Sequence, residues 1–140
     1  MRNSEADAVI GDQKREASCY EAHQKDAPAI RDVLARIGDK WSLLIIVTLK
    51  EGKLRFSELH ERIPGVSQRM LTRTLRHLER DGLVDRRVHA QVPPRVDYTL
   101  TERGRTLIDP ALALATWSIA HFEGIQAART AYDSPTVGGD

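Results

Sequence analysis

Apolar positions recur at helical spacing in the first third of the chain. One helix face would carry Ile30, Val33, Leu34 and Ile37 at positions i, i+3, i+4 and i+7. Pro28 suits the first turn of such a helix, and Gly38 suits its end. The pattern therefore predicts an amphipathic helix that ends near Gly38.

The next run, residues 43–47, is apolar on every side. Its three consecutive β-branched residues favour a buried strand. A cap at Asp39, the length of the segment and the closing Gly52 favour a buried helix. We prefer the helix.

Two short helices joined by a turn are predicted next. Ser57 is expected to cap the first of them, and residues 64–66 form a tight turn. Ser67 is expected to cap the second, over residues 68–81, which Gly82 ends. This spacing predicts a helix-turn-helix.

Three segments have the pattern of extended chain: a short piece at residues 54–56 and longer ones at 83–88 and 95–100. A short turn with two prolines joins the last two, so they form a hairpin, the wing. Residues 101–132 are helical again, and Pro110 predicts a kink or break within them. The predicted fold is mainly α with a small β-hairpin, a winged helix-turn-helix.

The second helix of the helix-turn-helix has an apolar face and a basic one. At about 100° per residue, Leu71, Leu75 and Leu78 form one stripe. Four arginines lie nearly opposite: Arg69, Arg73, Arg76 and Arg80. A helix that enters the DNA major groove has this character. An ordinary solvated helix has it too, but the preceding helix and the following hairpin favour DNA.

The candidate DNA-contacting residues lie on this helix and on the hairpin. Those expected at base edges are Ser67, Gln68, Arg69, Met70, Thr72 and Arg73. Arg76 and Arg80 lie further along and are expected to contact phosphates. His89, Gln91 and Arg95, at the hairpin tip, are expected to reach the DNA backbone or the adjacent minor groove.

The charge distribution agrees with this assignment. The net charge of the chain is only +1, but residues 67–95 contain seven arginines and three acidic residues. Residues 1–26 and residues 101–140 each carry a net charge of −2. Positive charge is therefore concentrated in the segment with the predicted helix and hairpin.

The last predicted helix has a broad apolar arc. Its members are Leu107, Ile108, Ala111, Leu112, Leu114, Ala115, Ile119, Phe122 and Ile125. A domain of this size does not easily bury them all, so we expect a homodimer contact. Such a dimer places two recognition helices about one DNA turn apart on a pseudo-palindromic site. Packing within its own domain is the alternative.

Other classes of protein find little support. The sequence has no P-loop, GxGxxG or GxSxG motif, and its histidines lack metal-ligand spacing. We therefore expect no enzyme activity, cofactor or metal site. A single cysteine excludes an intrachain disulfide. With no signal peptide or membrane-spanning run, a cytoplasmic protein without a membrane partner is expected.

Several segments, in this order, resemble the HxlR-type family of bacterial regulators. They are IGDKW, RFSEL, IPGVSQRMLTRTLR, LERDGLV and VPPRVDY, and the similarity covers about residues 27–122. The resemblance implies a winged-helix homodimer, paired mainly through its first and last helices. It also implies binding to operator double-stranded DNA as a repressor or activator. By this resemblance, residues 67–76 would fall on the recognition helix and residues 89–95 on the wing.

Some members of this family sense oxidants or electrophiles through a cysteine just before the first helix. This chain has no cysteine there, and Cys19 lies about two helical turns upstream. Cys19 is thus only a candidate redox-sensing residue. The expected organisation is a flexible tail at 1–24, the winged-helix domain at 25–132 and a frayed tail at 133–140. A regulator gated by a small molecule and an interaction module without DNA readout are the alternatives.

Overall fold

The computed structural model describes residues 24–135 of the 140-residue chain. These residues belong to two units, the first ending at Asp39 and the second beginning at Lys40. The described part of the first unit is one helix, α1, over residues 24–37.

The end of α1 agrees with the sequence pattern. The N–H of Gly38 donates to the carbonyl of Leu34 at 2.7 Å. The placement of Pro28 in the first turn is wrong, because residue 24 is already helical and Pro28 lies beyond that turn. The apolar face of α1 includes Val33 and Leu34, which are 52% and 55% exposed.

The second unit begins with the apolar segment for which the sequence allows helix or strand. It is a helix: α2 spans Ser42–Thr48 and continues into a 3₁₀ turn, Leu49–Glu51. Its two isoleucines are fully buried, which outweighs the weak helix propensity of β-branched residues. The predicted cap at Asp39 is wrong. Trp41 occupies the N-cap, and its carbonyl accepts from the N–H of Ile45 at 3.0 Å.

The predicted helix-turn-helix is confirmed. Its helices are α3, Phe56–Arg62, and α4, Gln68–Arg80. Gly65 in the turn has φ +88°, a conformation that favours glycine. Ser67 caps α4 as predicted, because its hydroxyl oxygen accepts from the N–H of Met70 at 3.1 Å.

The start of α3 differs from the prediction. Arg55 occupies the N-cap in place of Ser57. The N–H of Arg55 donates to the carboxylate of Glu58 at 3.1 Å, which satisfies a backbone donor at the start of the helix. Phe56, expected to end an extended piece, is already helical.

Three strands form one antiparallel sheet in the order β1–β3–β2. They are β1, Leu54–Arg55, β2, Val84–His89, and β3, Arg95–Leu100. The predicted hairpin of β2 and β3 is confirmed, with Val84 opposite Leu100 and His89 opposite Arg95. The short extended piece before α3 is the third strand.

Two helices follow the sheet: α5, Glu102–Arg105, and α6, Ile108–Asp133. The break predicted at Pro110 lies just before it, at residues 106 and 107. Pro110 is the third residue of α6, within the first turn, where a missing N–H costs no intrahelical hydrogen bond. The 26-residue α6 therefore accommodates it.

The core of the second unit is built from the helices and the sheet together. Its buried apolar residues are Ile45, Ile46, Leu49, Leu54, Leu59, Ile63, Val66, Leu71, Leu75, Leu78, Val84, Tyr98 and Ala111. A mainly α fold with a small antiparallel sheet is thus confirmed. Within residues 24–135, no helix combines the length and the apolar character needed to cross a bilayer.

Gly104 lets α5 approach the residue before β2 closely. A Cβ at position 104 would overlap the carbonyl oxygen of Leu83, whereas a Cβ at Gly124 in α6 would meet nothing within 4 Å. We predict that Gly104→Ala lowers the free energy of unfolding by about 1–3 kcal/mol, because backbone atoms must move apart. Gly124→Ala is the control and should raise it by about 1 kcal/mol. Urea unfolding measures both, and similar effects of the two substitutions would contradict the close approach.

Candidate nucleic-acid interface

Helix α4 has one face in the core and the opposite face in solvent. Leu71, Leu75 and Leu78 are at most 1% exposed and anchor it. Its exposed basic residues are Arg69, Arg73, Arg76, His77 and Arg80. The separation of an apolar from a basic face, predicted from the sequence, is present in the structure.

An open groove of about 830 Å³ lies against the exposed face of α4. Its lining residues are Phe56, Gln68, Arg69, Met70, Thr72, Arg73, Arg76 and His77. They include every candidate contact on this helix except Ser67 and Arg80. Three of them are arginines and none is a carboxylate, so the groove suits a polyanion. Phe56 was missed because the sequence pattern placed it in an extended piece.

Two of the candidate hydroxyl groups already make hydrogen bonds within the protein. Ser67 accepts from the N–H of Met70, which leaves its own proton for an outside acceptor. Thr72 donates to the carbonyl of Gln68 at 2.8 Å, so its oxygen remains chiefly an acceptor. The side chain of Met70 is half-buried against the core. The exposed polar candidates of this segment are therefore Ser67, as a donor, and Gln68, Arg69 and Arg73.

A second groove, of about 460 Å³, lies between α4 and the sheet. It is lined by Phe56, Thr72, Arg76, Glu79, Arg86, Val96 and Tyr98. Arg86 was not among the predicted contacts. The alternation along β2 could have indicated Arg86. It lies opposite Tyr98, on the face of the sheet that also carries the buried Val84.

The base of the wing is held by a buried carboxylate. Asp97 of β3 is 4% exposed. Its Oδ1 accepts from Nε of Arg95 at 3.0 Å, and its Oδ2 lies 2.8 Å from Nε2 of His89. His89 and Arg95 are therefore at the base of the hairpin loop, since they end β2 and begin β3, and only Gln91 of the three wing candidates lies in the loop itself.

These contacts favour the ionised form of Asp97. The hydrogen bond from Arg95 lowers the pKa of the Asp97 carboxyl below its ordinary value of 3.8, against the opposing effect of burial. The hydrogen bond from His89 acts in the same direction. Because an ionised carboxylate only accepts hydrogen bonds, Nε2 of His89 is the donor at neutral pH.

The fold and this surface together define a class of protein. A helix pair joined by a tight turn, with a basic face on the second helix and a hairpin after it, is a winged helix-turn-helix. The family model of HxlR-like helix-turn-helix proteins matches residues 36–126. The chain therefore belongs to the HxlR-like helix-turn-helix family, as its sequence segments indicate.

Named relatives are transcriptional regulators. An HTH-type transcriptional regulator of Methanothermobacter thermautotrophicus is 58% identical over 81 residues, which are 58% of this chain and 62% of that protein. The match thus spans less than two thirds of that relative's length. The HTH-type transcriptional regulator YdeP of Bacillus subtilis is 40% identical over 117 residues, 81% of this chain and 91% of that protein.

Solved structures agree with this membership. The transcriptional regulator ytfH of Salmonella typhimurium superposes with a TM-score of 0.66 at 39% identity, over 71% of this chain and 88% of that chain. The redox regulator HypR in its reduced form superposes with a TM-score of 0.64 at 40% identity, over 71% of this chain and 98% of that chain. Cys19, the candidate redox-sensing residue, lies outside the described residues.

The Asp97 contacts generate a prediction about stability and pH. A carboxyl whose pKa is lower in the folded state stabilises the fold above its ordinary pKa. We expect Asp97→Asn to be less stable than the parent at neutral pH. The difference should shrink as pH falls below the ordinary value of 3.8 and vanish once pH falls through the lowered pKa of folded Asp97. Urea unfolding at a series of pH values measures this.

Asp85→Asn is the control for that experiment, because Asp85 is an exposed carboxylate on the adjacent strand. Its difference from the parent should be small throughout. If the free energy of unfolding of Asp97→Asn stayed below that of the parent by a constant amount down to pH 3, the ionised carboxylate would have no stabilising role.

Proposed function

We propose that this chain is a sequence-specific, double-stranded DNA-binding transcriptional regulator that acts as a homodimer on a pseudo-palindromic operator. The observation that carries the proposal is the exposed arginine face of α4, which lines an open groove without carboxylates. The core leucines hold this face outward, as a helix in the major groove requires. The proposed regulator domain spans residues 25–132.

The exposed residues of α4 divide into two proposed roles. Gln68, Arg69 and Arg73 lie in its first two turns, the part of a recognition helix that contacts base edges. Arginine recognises guanine and glutamine recognises adenine by paired hydrogen bonds. Arg76 lines both grooves and Arg86 the second, which suits a phosphate strand between helix and wing.

The proposed dimer contact is the exposed apolar side of α6. Leu114, Trp117 and Phe122 are between 48% and 54% exposed, although they lie on one side of the helix. Trp117 stacks on His121, with ring centroids 4.7 Å apart. A second copy of the same helix would cover this surface in a two-fold arrangement. The family relationship supports such pairing.

Control of the regulator is proposed only in general terms. HypR is described as a redox regulator with oxidised and reduced forms. A response of this chain to oxidants or electrophiles through Cys19 stays a prediction. Gating by a small molecule is the alternative.

The DNA-reading role predicts a particular pattern of mutant effects. Duplexes that the protein selects from genomic DNA provide the specific probe, and a random-sequence duplex provides the comparison. Arg73→Ala should weaken binding to the selected duplex by about 1–3 kcal/mol and change binding to the random duplex little. Arg76→Ala should weaken both alike. Fluorescence anisotropy over a range of salt concentrations measures the affinities.

Arg105→Ala is the matched control, because it removes an exposed arginine of α5 that lines neither groove. It should change neither affinity. An equal loss on both duplexes would make Arg73 a phosphate contact. Absence of salt-dependent DNA binding by the parent protein would instead favour a winged-helix module for protein contacts.

The dimer predicts a second experiment. Phe122→Glu places a charge on the exposed apolar side of α6 and should shift the protein to monomers, with weaker binding to the selected duplex. Ala127→Glu adds the same charge roughly on the opposite side of α6 and should leave the dimer intact. Analytical ultracentrifugation measures the mass. An unchanged dimer in Phe122→Glu would remove this side of α6 from the interface.

A further inference from the structure

The outer face of the sheet contains a buried carboxylate among cations. Asp97 lies on the central strand, opposite Arg87 of β2 and Arg55 of β1. Its side chain is only 4% exposed. Aspartates are almost never buried in this way unless they are paired. A residue that merely solubilised this face would extend into water, so the burial requires another reason.

The hydrogen bonds of Asp97 are specific. Its two oxygens bind Nε of Arg95 and Nε2 of His89, the facing residues on either side of the loop at 90–94. One carboxylate thus connects both ends of the wing loop. The side chain of Arg95 is 30% exposed although its Nε is held by Asp97.

Arg95 also lines a small depression. That depression, about 310 Å³, lies between the wing loop and the start of α3 and is also lined by Arg55 and Gln91. The guanidinium has five N–H donors in a rigid fork, and the bond to Asp97 uses only the one on Nε. Arg95 and Arg55 thus place two cations beside one depression, which suits a phosphate group.

We propose that Asp97 is a positioning residue, which holds Arg95 in place to bind a backbone phosphate of DNA at the base of the wing. The proposal rests on the proposed DNA-binding function. Fixing a long side chain before binding removes the entropy cost of ordering it in the complex. Asp97 thereby strengthens DNA binding although its own charge repels DNA.

This opposition of sign makes the proposal testable. If Asp97 acted only through its charge, its removal would strengthen DNA binding. If it positions Arg95, removal of its acceptor oxygens would weaken binding. Asp97→Val removes charge and acceptors, whereas Asp97→Asn removes the charge and keeps an oxygen that can accept from Arg95. Asp85→Val is the control for an apolar substitution on the same face of the sheet.

The experiment uses the full chain and a random-sequence duplex of about 30 base pairs, long enough for two half-sites one turn apart. Asp97→Val should weaken binding about tenfold for each protomer, the loss expected for one hydrogen bond to a charged group, and therefore about a hundredfold for the homodimer. The slope of log affinity against log salt should become shallower by about 1.8, one phosphate contact in each of the two protomers. Asp97→Asn and Asp85→Val should bind within about threefold of the parent.

The effect must also depend on Arg95. In an Arg95→Gln background, Asp97→Val should cause no further loss, because the residue that it positions is already absent. A loss of similar size in that background, or tighter binding by Asp97→Val alone, overturns the proposal. A general loss of folded protein would lower the active fraction without changing the salt slope.

A second variant tests the proposal if Asp97→Val folds poorly. Asp97→Glu keeps the charge but extends the carboxylate by one methylene, so it should displace Arg95 and give the same weaker, less salt-dependent binding. Parent-like binding by Asp97→Glu would overturn the proposal. If the parent protein itself fails to bind DNA, the proposed function fails with it. If the parent binds and Asp97→Val binds equally well with an unchanged slope, only this inference fails.

Discussion

The burial of three leucines on α4 is the constraint on which the rest of the surface depends. Leu71, Leu75 and Leu78 are together on one side of the helix and lie in the core. Each such burial is worth about 1.5–3 kcal/mol, so rotation of α4 about its axis would cost several of these contributions. With the rotation fixed, every other residue of the helix has a fixed direction. The arginines face outward because the leucines cannot.

Burial also fixes the direction of side chains in the sheet, where successive residues of a strand point to opposite faces. Tyr98 faces the core, and its neighbour Asp97 must therefore face the other side. The core side of β2 also carries Arg86, which reaches the groove beside α4. The wing is thus attached to the helix-turn-helix through one face, while the other face holds the ends of the wing loop together. Both faces contribute groups to the proposed DNA surface.

Sequence patterns predicted those elements in which a periodic pattern repeats over many positions. Helix α4 and strand β3 were located closely, since many positions repeat in each. Helix starts were less predictable. Asp39 and Ser57 are residue types that favour N-cap positions, but Trp41 and Arg55 occupy the N-caps of these helices. A cap depends on where one backbone turn begins, and packing of the following helix can shift that point by a residue or more.

Asp97 illustrates a different limit. In an alternating strand, a polar residue next to Tyr98 is expected to face water, and no local pattern indicates that it is buried. Its burial depends on Arg95 two residues away and on His89 across the hairpin, a pairing that requires the register of the two strands. The register places the carboxylate and the two donors on the same face of the hairpin, where they form the observed hydrogen bonds. The direction of the wing arginine therefore follows from the folded hairpin, whereas the direction of the α4 arginines follows from the sequence period alone.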